Sequence, residues 1–220
     1  MLVKDFITKE ILVLKDYDTV EYALNMMDEL KVKQLPLVTG EGLYRGMVED
    51  KSLLEVPLLT VPLADVSLLD VSIAGGASLH EALSLMARYG LSLLPVCSSG
   101  KYYMGVVTQE RMVGCLAEWC GSDREGSVIV LEFEARDYNL TELSRLVESN
   151  NAHVLSLLTR MDPESGRWWV ALKIDLVDAS PVLRSFERYN YTVRYHFMEQ
   201  GVVDERLQRR MRELLYYMNM

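Results

Sequence analysis

The chain has 220 residues and a formal net charge of −9, with half of its residues hydrophobic and a quarter charged. This composition is typical of a globular protein with one large domain or two small ones. The acidic balance, with no offsetting Lys/Arg stripe, argues against nucleic acid as a partner, because phosphate backbones attract basic surfaces. Three cysteines without CxxC spacing and three scattered histidines argue against a zinc site.

The same sequence predicts a cytoplasmic protein with no membrane partner. Its first six residues lack the charged-then-apolar order of a signal peptide. Charged residues interrupt every apolar stretch before it reaches the roughly 18 residues that a membrane span requires. We therefore expect the three cysteines to be free thiols in a reducing compartment.

Residues 18–56 predict a helix, two strands and a second short helix. The segment Asp18-Thr19-Val20-Glu21 has the pattern of a capping box. The helix behind it has one apolar face, formed by Val20, Ala23, Leu24, Met27 and Leu30. The run 34–38 predicts a strand with Pro36 near its start or on a sheet edge. Residues 43–48 are predicted to form the strand that pairs with it. A short helix is predicted over 50–56.

Residues 78–120 repeat this order at a constant offset of 59. Ala23-Leu24 recurs as Ala82-Leu83, Leu35-Pro36 as Leu94-Pro95, and Gly46 as Gly105. Eight of the 36 positions in 19–54 are identical to their counterparts in 78–113. The repeat predicts a helix that starts at Ser78 and ends at Tyr89-Gly90, strands over 93–97 and 103–107, and a helix from Thr108 to about Cys120. Such duplicated units stack to bury a common face, which leaves a pseudo-symmetric cleft between them.

The polar, glycine-flanked segment 121–126 predicts a boundary, after which the pattern changes to β-α-β-β-α-β. Strands are expected over 127–134, 153–160, 168–176 and 191–197, with helices beginning after Asn139 and at Ser180-Pro181. This order is that of ferredoxin-like folds. Trp168 and Trp169 are neighbours on a strand, so one is expected on each side, in the core and at a dimer interface.

A C-terminal amphipathic helix is predicted over 201–220. From Asp204 onward its apolar side comprises Leu207, Met211, Leu214, Leu215 and Met218. Its polar side mixes charge signs and lacks the basic excess that anionic lipids attract. The helix is therefore expected to pack on the chain's own core or on a second subunit.

The tandem order of a helix, Leu-Pro-Leu-Val, Gly-Met-Val and a short helix resembles a pair of CBS domains. The βαββαβ segment resembles an ACT domain, and the combination is similar to the acetoin-utilisation AcuB-like proteins. The resemblance implies an α/β (α+β) fold with a CBS pair, a ferredoxin-like ACT-type domain and a C-terminal helix. The corresponding domains are 1–59 and 60–121 (CBS), 127–200 (ACT-like) and 201–220 (helix).

CBS pairs commonly dimerise and can bind adenine nucleotides through the motif Gly-apolar-apolar-Thr/Ser-x-x-Asp. The resemblance implies the same properties for this chain. The hydroxyl lies at a helix N-terminus, where phosphate is received, and the Asp accepts bonds from ribose hydroxyls. The first copy has Glu49 at the hydroxyl position and Ser52 at the Asp position. The second copy has Thr108 at the hydroxyl position, but Arg111, which has only donors, stands at the Asp position. Neither copy keeps the whole motif.

Two interpretations of the second copy stay open. Thr108 and Arg111, with Pro95 and Val96 of the preceding strand, can hold a carboxylate or phosphate. Alternatively, Thr108 caps its helix and Arg111 faces solvent. In the ACT-like segment, Asp137 and Asn139 occupy the turn where such domains bind amino acids, although Asn139 is also a natural helix cap.

The resulting hypothesis is a non-catalytic regulatory or sensor protein, which the family resemblance predicts to be a homodimer. Its small-molecule effector is expected to be an adenine nucleotide, S-adenosylmethionine or an amino acid, with no metal. The alternative is a structural or dimerisation protein with degenerate ligand sites. An enzyme fits least well, because the acidic pairs Asp16/Asp18 and Glu132/Glu134 have no nearby His for acid–base chemistry.

Overall fold

The chain divides into two compact units, residues 1–115 and 116–220. The computed structural model describes residues 2–198 and 201–203. Each unit contains its own hydrophobic core. The helix predicted from Asp204 to Met220 lies outside the described residues.

The first copy forms two helices and a three-stranded sheet in the order β1-β2-β3. A short 3-10 helix, Val3–Phe6, precedes it. Its elements are β1 (Leu14–Lys15), α1 (Val20–Leu30), β2 (Gln34–Val38), β3 (Tyr44–Glu49) and α2 (Asp50–Leu54). The two outer strands differ in direction, since β1 is parallel to β2 and β3 is antiparallel to it.

The second copy repeats this sheet in the order β4-β5-β6. Its elements are β4 (Ile73–Ala74), α3 (Leu79–Tyr89), β5 (Leu93–Cys97), β6 (Tyr103–Thr108) and α4 (Gln109–Trp119). The sequence pattern does not predict β1 and β4, because a strand of two residues is too short to show alternation. The other elements lie within a few residues of their predicted positions.

Helices α1 and α3 begin at equivalent cap residues. The Thr19 hydroxyl accepts a hydrogen bond from the Tyr22 amide at 3.3 Å, and the Ser78 hydroxyl accepts one from the Glu81 amide at 3.2 Å. These caps lie 59 residues apart (78 − 19). The capping box predicted at Asp18 is therefore wrong by one residue, because the Asp18 carboxylate instead accepts from the Lys15 amide at 2.8 Å.

The same two helices also end in equivalent backbone conformations. Lys31 follows α1 with a φ of 55°, and Gly90 follows α3 with a φ of 62°, both in the left-handed region. Leu30, predicted on the buried face of α1, is 44% exposed, because it is the last helical residue before this reversal.

Both strand prolines lie in the middle strand of a sheet, which corrects the prediction that Pro36 is near a start or on an edge. β1 pairs with β2 only at Leu37 and Val38, beyond Pro36. Likewise β4 pairs with β5 only at Val96 and Cys97, beyond Pro95. Because the neighbouring strand is so short, the missing proline N–H removes no bond from the ladder.

Each copy also sends a segment across to the last strand of the other copy. Thr8 exchanges two backbone hydrogen bonds of 2.8 and 3.0 Å with Val106. Leu69 exchanges two bonds of 2.9 Å with Met47, the equivalent of Val106 in the first copy. A single core cluster contains buried side chains from both copies. The two copies therefore share one core.

The second unit is a five-stranded antiparallel sheet in the order β11-β10-β7-β9-β8. Its elements are β7 (Ser127–Phe133), α5 (Leu140–Glu148), β8 (Val154–Met161), β9 (Trp168–Ile174), α6 (Ser180–Arg188), β10 (Thr192–Met198) and β11 (Gly201–Val203). The first four strands have the ferredoxin-like order predicted for this segment. Residues 201–203, predicted to begin the C-terminal helix, form an edge strand instead.

The two adjacent tryptophans of β9 lie on opposite sides of this sheet. Trp168 packs against the core of the unit and stacks on Tyr138 with ring centroids 6.0 Å apart. Trp169 is covered by the guanidinium of Arg194, 4.1 Å from its ring centroid. Among the helices that the structure describes, none has the length and apolar character to cross a membrane.

Candidate functional site

A cleft of about 420 Å³ lies where the two copies of the first unit meet. We call it the Gln34 cleft. The first copy contributes the end of α1, the start of β2 and the start of α2, and the second copy contributes the end of α3 and the residues before β5. The lining residues are Lys31, Val32, Lys33, Gln34, Glu49, Asp50, Lys51, Tyr89, Gly90 and Ser92.

The backbone that frames this cleft is duplicated. The Asp50 amide at the start of α2 donates to the Lys33 carbonyl at 3.0 Å. The Gln109 amide at the start of α4 donates to the Ser92 carbonyl at 2.9 Å. Both pairs are related by the offset of 59, so the two copies present equivalent frames. Their functional differences therefore lie in side chains.

The wall formed by the first copy is a chain of three polar side chains. The Gln34 amide nitrogen Nε2 donates to Oε1 of Glu49 at 3.1 Å, and Lys51 Nζ lies 3.2 Å from the other carboxylate oxygen. Gln34 is only 6% exposed and the Glu49 side chain 14%. An ionised carboxylate only accepts hydrogen bonds, so Glu49 fixes which end of the Gln34 amide faces it.

Two buried polar atoms in the lining residues are unpaired. Gln34 Oε1 and Ser92 Oγ are shielded from solvent, and neither has a hydrogen-bond partner among the described residues. A buried acceptor without a donor costs about 1–3 kcal/mol, and such groups in native structures call for an explanation. One residue comes from each copy, so the unpaired atoms lie on both sides of the junction.

The charges around the cleft are mixed, with a small positive excess. Lys31, Lys33 and Lys51 line it together with two acids, Glu49 and Asp50. The lining therefore has a formal charge of +1 (three lysines less two acids). Lys31 also pairs with Asp28 at 2.9 Å, in an exposed contact that contributes little.

Of the residues predicted in the first copy, the structure places Glu49 in the lining of this cleft, whereas Ser52 lies within α2 and is not a lining residue. The nucleotide motif did not point to Gln34 or Ser92. The sequence does distinguish Gln34, because it is a polar residue in an otherwise apolar strand. Its counterpart in the second copy is the apolar Leu93.

The residues predicted in the second copy are elsewhere. The Thr108 hydroxyl accepts a hydrogen bond from the Arg111 amide at 3.2 Å, so Thr108 caps α4, and Arg111 is exposed. Pro95 and Val96 are buried in β5, opposite Val106 and Gly105 of β6. None of these four residues lines the Gln34 cleft. Of the two interpretations of Thr108, helix capping agrees with the observed hydrogen bond.

The two residues predicted in the ACT-like segment also have local roles. Asn139 caps α5, since its Oδ1 accepts from the Glu142 amide at 3.3 Å. Asp137 is at the surface, 3.8 Å from Arg136 in an exposed ion pair. The structure thus brings neither side chain to a described cleft.

A second, more open depression of about 720 Å³ is lined by Lys4, Ile7, Lys9, Tyr103 and Met104. Burial holds the pKa of the Tyr103 phenol well above its usual range, so this group stays neutral. None of the unpaired buried atoms found in the described residues belongs to this lining. The Gln34 cleft is therefore the stronger candidate.

Comparison with known families defines the class of protein. The CBS domain family matches residues 3–58 and 64–118, which together make up half of the chain. The chain belongs to the CBS domain family and carries a CBS pair. Its second unit has the element order of a ferredoxin-like domain, consistent with the ACT-like prediction.

Solved structures similar to this chain include a CBS domain pair/ACT domain protein from Thermotoga maritima, with 25% identity and a TM-score of 0.49 over 54% of this chain and 98% of that one. An acetoin utilization protein (AcuB) from Vibrio cholerae is 24% identical, with a TM-score of 0.47 over 54% of this chain and 91% of that one. A third is CBSX2 in complex with AMP, which is 22% identical, with a TM-score of 0.48 over 53% of this chain and 96% of that one.

Proposed function

We propose that this chain is a non-catalytic regulatory protein whose CBS pair binds a small effector in the Gln34 cleft. The observation that carries the proposal is the pair of buried, unpaired atoms, Gln34 Oε1 and Ser92 Oγ. A ligand that formed hydrogen bonds to both atoms would remove the cost of leaving them unpaired. Because one atom belongs to each copy, such a ligand would also stabilise the junction between the copies, which is a direct route from binding to regulation.

The size of the cleft supports a small-molecule ligand. Its volume of about 420 Å³ falls within the usual range for ligand pockets, about 300–1,000 Å³. Family membership makes adenine nucleotides the first candidates, with S-adenosylmethionine and amino acids as further ones. A conventional placement of phosphate at the start of α2 is disfavoured, because the carboxylate of Glu49 occupies the position of the family's hydroxyl.

A binding role fits the Glu49 environment better than a catalytic one. Both of its carboxylate oxygens already have partners, Gln34 on one side and Lys51 on the other. A general base must instead reach the proton that it removes. We therefore assign Glu49 to holding the Gln34 amide in its orientation.

The test is a ligand screen on the full chain by thermal shift and isothermal titration calorimetry. The panel contains AMP, S-adenosylmethionine, glutamine and glutamate, and a ligand that binds only the native state raises the melting temperature. Binding should weaken in Ser92→Ala and Gln34→Leu. The matched control is Thr108→Ala, at the position equivalent to Glu49 but outside this cleft, and it should leave the affinity unchanged.

Other outcomes separate the alternatives. Loss of binding in Thr108→Ala and Arg111→Ala, with the cleft variants unaffected, would place the site in the second copy instead. Binding lost only in Asp137→Ala or Asn139→Ala would place it in the ACT-like unit. If no panel member binds, the regulatory proposal fails and the structural role replaces it.

We also propose that the protein is a cytoplasmic homodimer without nucleic-acid or membrane partners, with domains bounded at 59, 121 and 200. Light scattering coupled to size exclusion tests the dimer directly. At micromolar concentration it should give twice the mass of the chain, and a monomer would contradict the proposal. CBS family membership and the apolar pattern predicted for the C-terminal residues both support this expectation.

A further inference from the structure

The sheet of the second unit has apolar side chains on both of its sides. Ile129, Leu131 and Phe133 of β7 share a core cluster with residues of α5 and α6, so they face these helices. Because successive residues of a strand point to opposite sides of a sheet, Val128 and Val130 lie on the other side. We call that side the outer face. Its apolar residues are Val128, Val130, Leu158, Ala171, Tyr195 and Phe197.

A continuous apolar row crosses the outer face. It contains one residue from each of four strands, paired in register from β10 to β8, namely Tyr195, Val130, Ala171 and Leu158. Val130 is 6% exposed, although it is not among the described members of the core cluster formed with α5 and α6, and Leu158 at the β8 edge is 54% exposed. Antiparallel sheets with one side in water have polar residues on that side. An apolar row of this kind instead predicts a further layer packed on the sheet.

A charged border lies beside this row. Glu132 and Trp169 are paired in register on β7 and β9, next along each strand on the same side of the sheet. Arg194 Nη1 lies 3.2 Å from Glu132 Oε2, and its guanidinium covers the Trp169 ring. Arg167 Nη1 lies 3.5 Å from Oε1 of the same carboxylate. These charges are paired with one another, so the apolar row is the part of the outer face where a further layer gains most from burial.

The chain continues from one edge of this same sheet. β11 pairs antiparallel with β10 at that edge and ends at Val203. The 17 residues that follow (220 − 203) have an amphipathic pattern, with Leu207, Met211, Leu214, Leu215 and Met218 on one side. A helix of this length extends about 25 Å, and the four strand spacings from β11 to β8 amount to about 19 Å. The segment is therefore long enough to cross the whole sheet.

We infer that residues 204–220 pack across the outer face of their own chain's sheet, with their apolar side on the row from Tyr195 to Leu158. The second unit then has three layers, with α5 and α6 on one side of the sheet and this segment on the other. Attachment at β11 favours the same chain over a second copy, because a short tether gives an effective concentration on the order of millimolar. On this inference, the homodimer proposed above is supported by family membership and not by the C-terminal segment.

A cysteine at the centre of the row tests whether the segment covers it. Cys97 and Cys115 are buried and Cys120 is partly exposed, so Ala171→Cys is introduced into the full chain together with Cys120→Ser. The rate at which a small aromatic disulfide labels this thiol is measured with and without Leu214→Asp. Leu214→Asp should accelerate labelling at least about tenfold, because burying an unpaired charge costs more than a tenfold change in an equilibrium.

Two controls separate loss of this contact from loss of the fold. Arg209→Asp introduces the same side chain on the opposite side of the segment, and it should leave the labelling rate within about twofold of the parent. Val182→Cys places a thiol in the core on the helix side of the sheet, where Val182 is fully buried. This thiol should stay protected in Leu214→Asp. If it becomes reactive, the comparison is repeated with Leu214→Ala, for which about a threefold acceleration is expected.

Light scattering on the same variants shows which chain supplies the segment. Faster labelling of Ala171→Cys in Leu214→Asp at an unchanged molecular mass supports the inference. Faster labelling that accompanies a fall from dimer to monomer mass would overturn it, because the segment would then cover the sheet of a second copy. Equal labelling in the parent, Leu214→Asp and Arg209→Asp would overturn it as well, since the segment would not lie on the outer face.

Discussion

Gln34 and Glu49 face each other across a register pair of β2 and β3, and their side chains join through a hydrogen bond of 3.1 Å. The equivalent pair in the second copy is Leu93 and Thr108, also directly opposite in register. Leu93 provides no polar atom, and Thr108 caps α4 instead. The duplication has therefore left one copy with a polar wall and the other with an apolar one, on nearly the same backbone.

Replacing Gln34 with the residue of the other copy should separate stability from binding. In Gln34→Leu the unpaired Oε1 disappears, but Glu49 also loses the hydrogen bond from Gln34 Nε2. The two changes oppose each other, so we expect a free energy of unfolding within about 2 kcal/mol of wild type. Leu35→Ala, at a fully buried neighbour, should cost about 2–5 kcal/mol. Denaturant unfolding measures both. A loss in Gln34→Leu as large as that in Leu35→Ala would contradict this near-cancellation.

Gly105→Ala should be strongly destabilising. Gly105 has a φ of 142°, and an added methyl would overlap Ile7 Cγ2 and lie 2.7 Å from the Thr8 carbonyl oxygen. We expect a loss of about 2–5 kcal/mol from backbone strain and overpacking together. The crossing segment that carries Thr8 is what makes this position intolerant.

Gly114→Ala is the control for that substitution. Gly114 lies exposed within α4, and no atom lies within 4 Å of an added methyl. Alanine should therefore raise the free energy of unfolding by about 0.5–1 kcal/mol through helix propensity. Chemical denaturation measures the free energy of unfolding of both variants. If Gly105→Ala and Gly114→Ala lost similar amounts of it, the close approach of Thr8 to Gly105 would be unimportant.

Tyr44→Phe should lose one buried hydrogen bond. The Tyr44 hydroxyl donates to the Val71 carbonyl at 2.7 Å, and burial raises the pKa of this phenol well above its usual range. Phenylalanine keeps the packing but leaves the carbonyl unpaired, for a loss of about 1–3 kcal/mol. Tyr102→Phe, at a residue 56% exposed, should stay within about 0.5 kcal/mol of wild type. Thermal and denaturant unfolding measure both variants. Equal losses of stability in Tyr44→Phe and Tyr102→Phe would refute a structural role for the Tyr44 hydroxyl.

Asp175 should make the stability of the second unit depend on acid pH. The His153 backbone amide donates to its carboxylate at 2.6 Å, the His153 ring lies 2.7 Å from the other oxygen, and these contacts lower the pKa of Asp175. A carboxyl with a lowered folded-state pKa stabilises the fold above its unfolded value, about 3.9, and loses that contribution as the pH falls through the folded value.

Asp175→Asn tests the direction of this pH dependence of stability. The variant should be less stable than wild type near neutral pH, and the difference should shrink as the pH falls below about 4, because wild type then protonates the same group. Denaturant unfolding at a series of pH values measures it. A difference that stays constant or grows in acid would contradict the assignment.

Much of the architecture follows from short-range patterns. Thr19 and Ser78 are capping residues ahead of apolar helical periods, and the fixed offset of 59 residues between the copies is enough to identify the duplication. The predicted strands over 34–38 and 93–97 agree with β2 and β5, because apolar residues dominate both segments. Their central position in each sheet was not predictable, since β1 and β4 have only two residues each and leave no periodic signal.

The sequence by itself determined that a helix-strand-strand-helix unit is duplicated, that a βαββαβ unit follows, and that Glu49 departs from the nucleotide motif of the CBS family. These depend on residue type and spacing along the chain. Only the tertiary structure decided that Gln34 and Ser92, 58 positions apart (92 − 34), line one cleft with unpaired buried atoms. Burial and hydrogen-bond pairing depend on which segments meet in space, and the local pattern of neither copy specifies how the two copies meet.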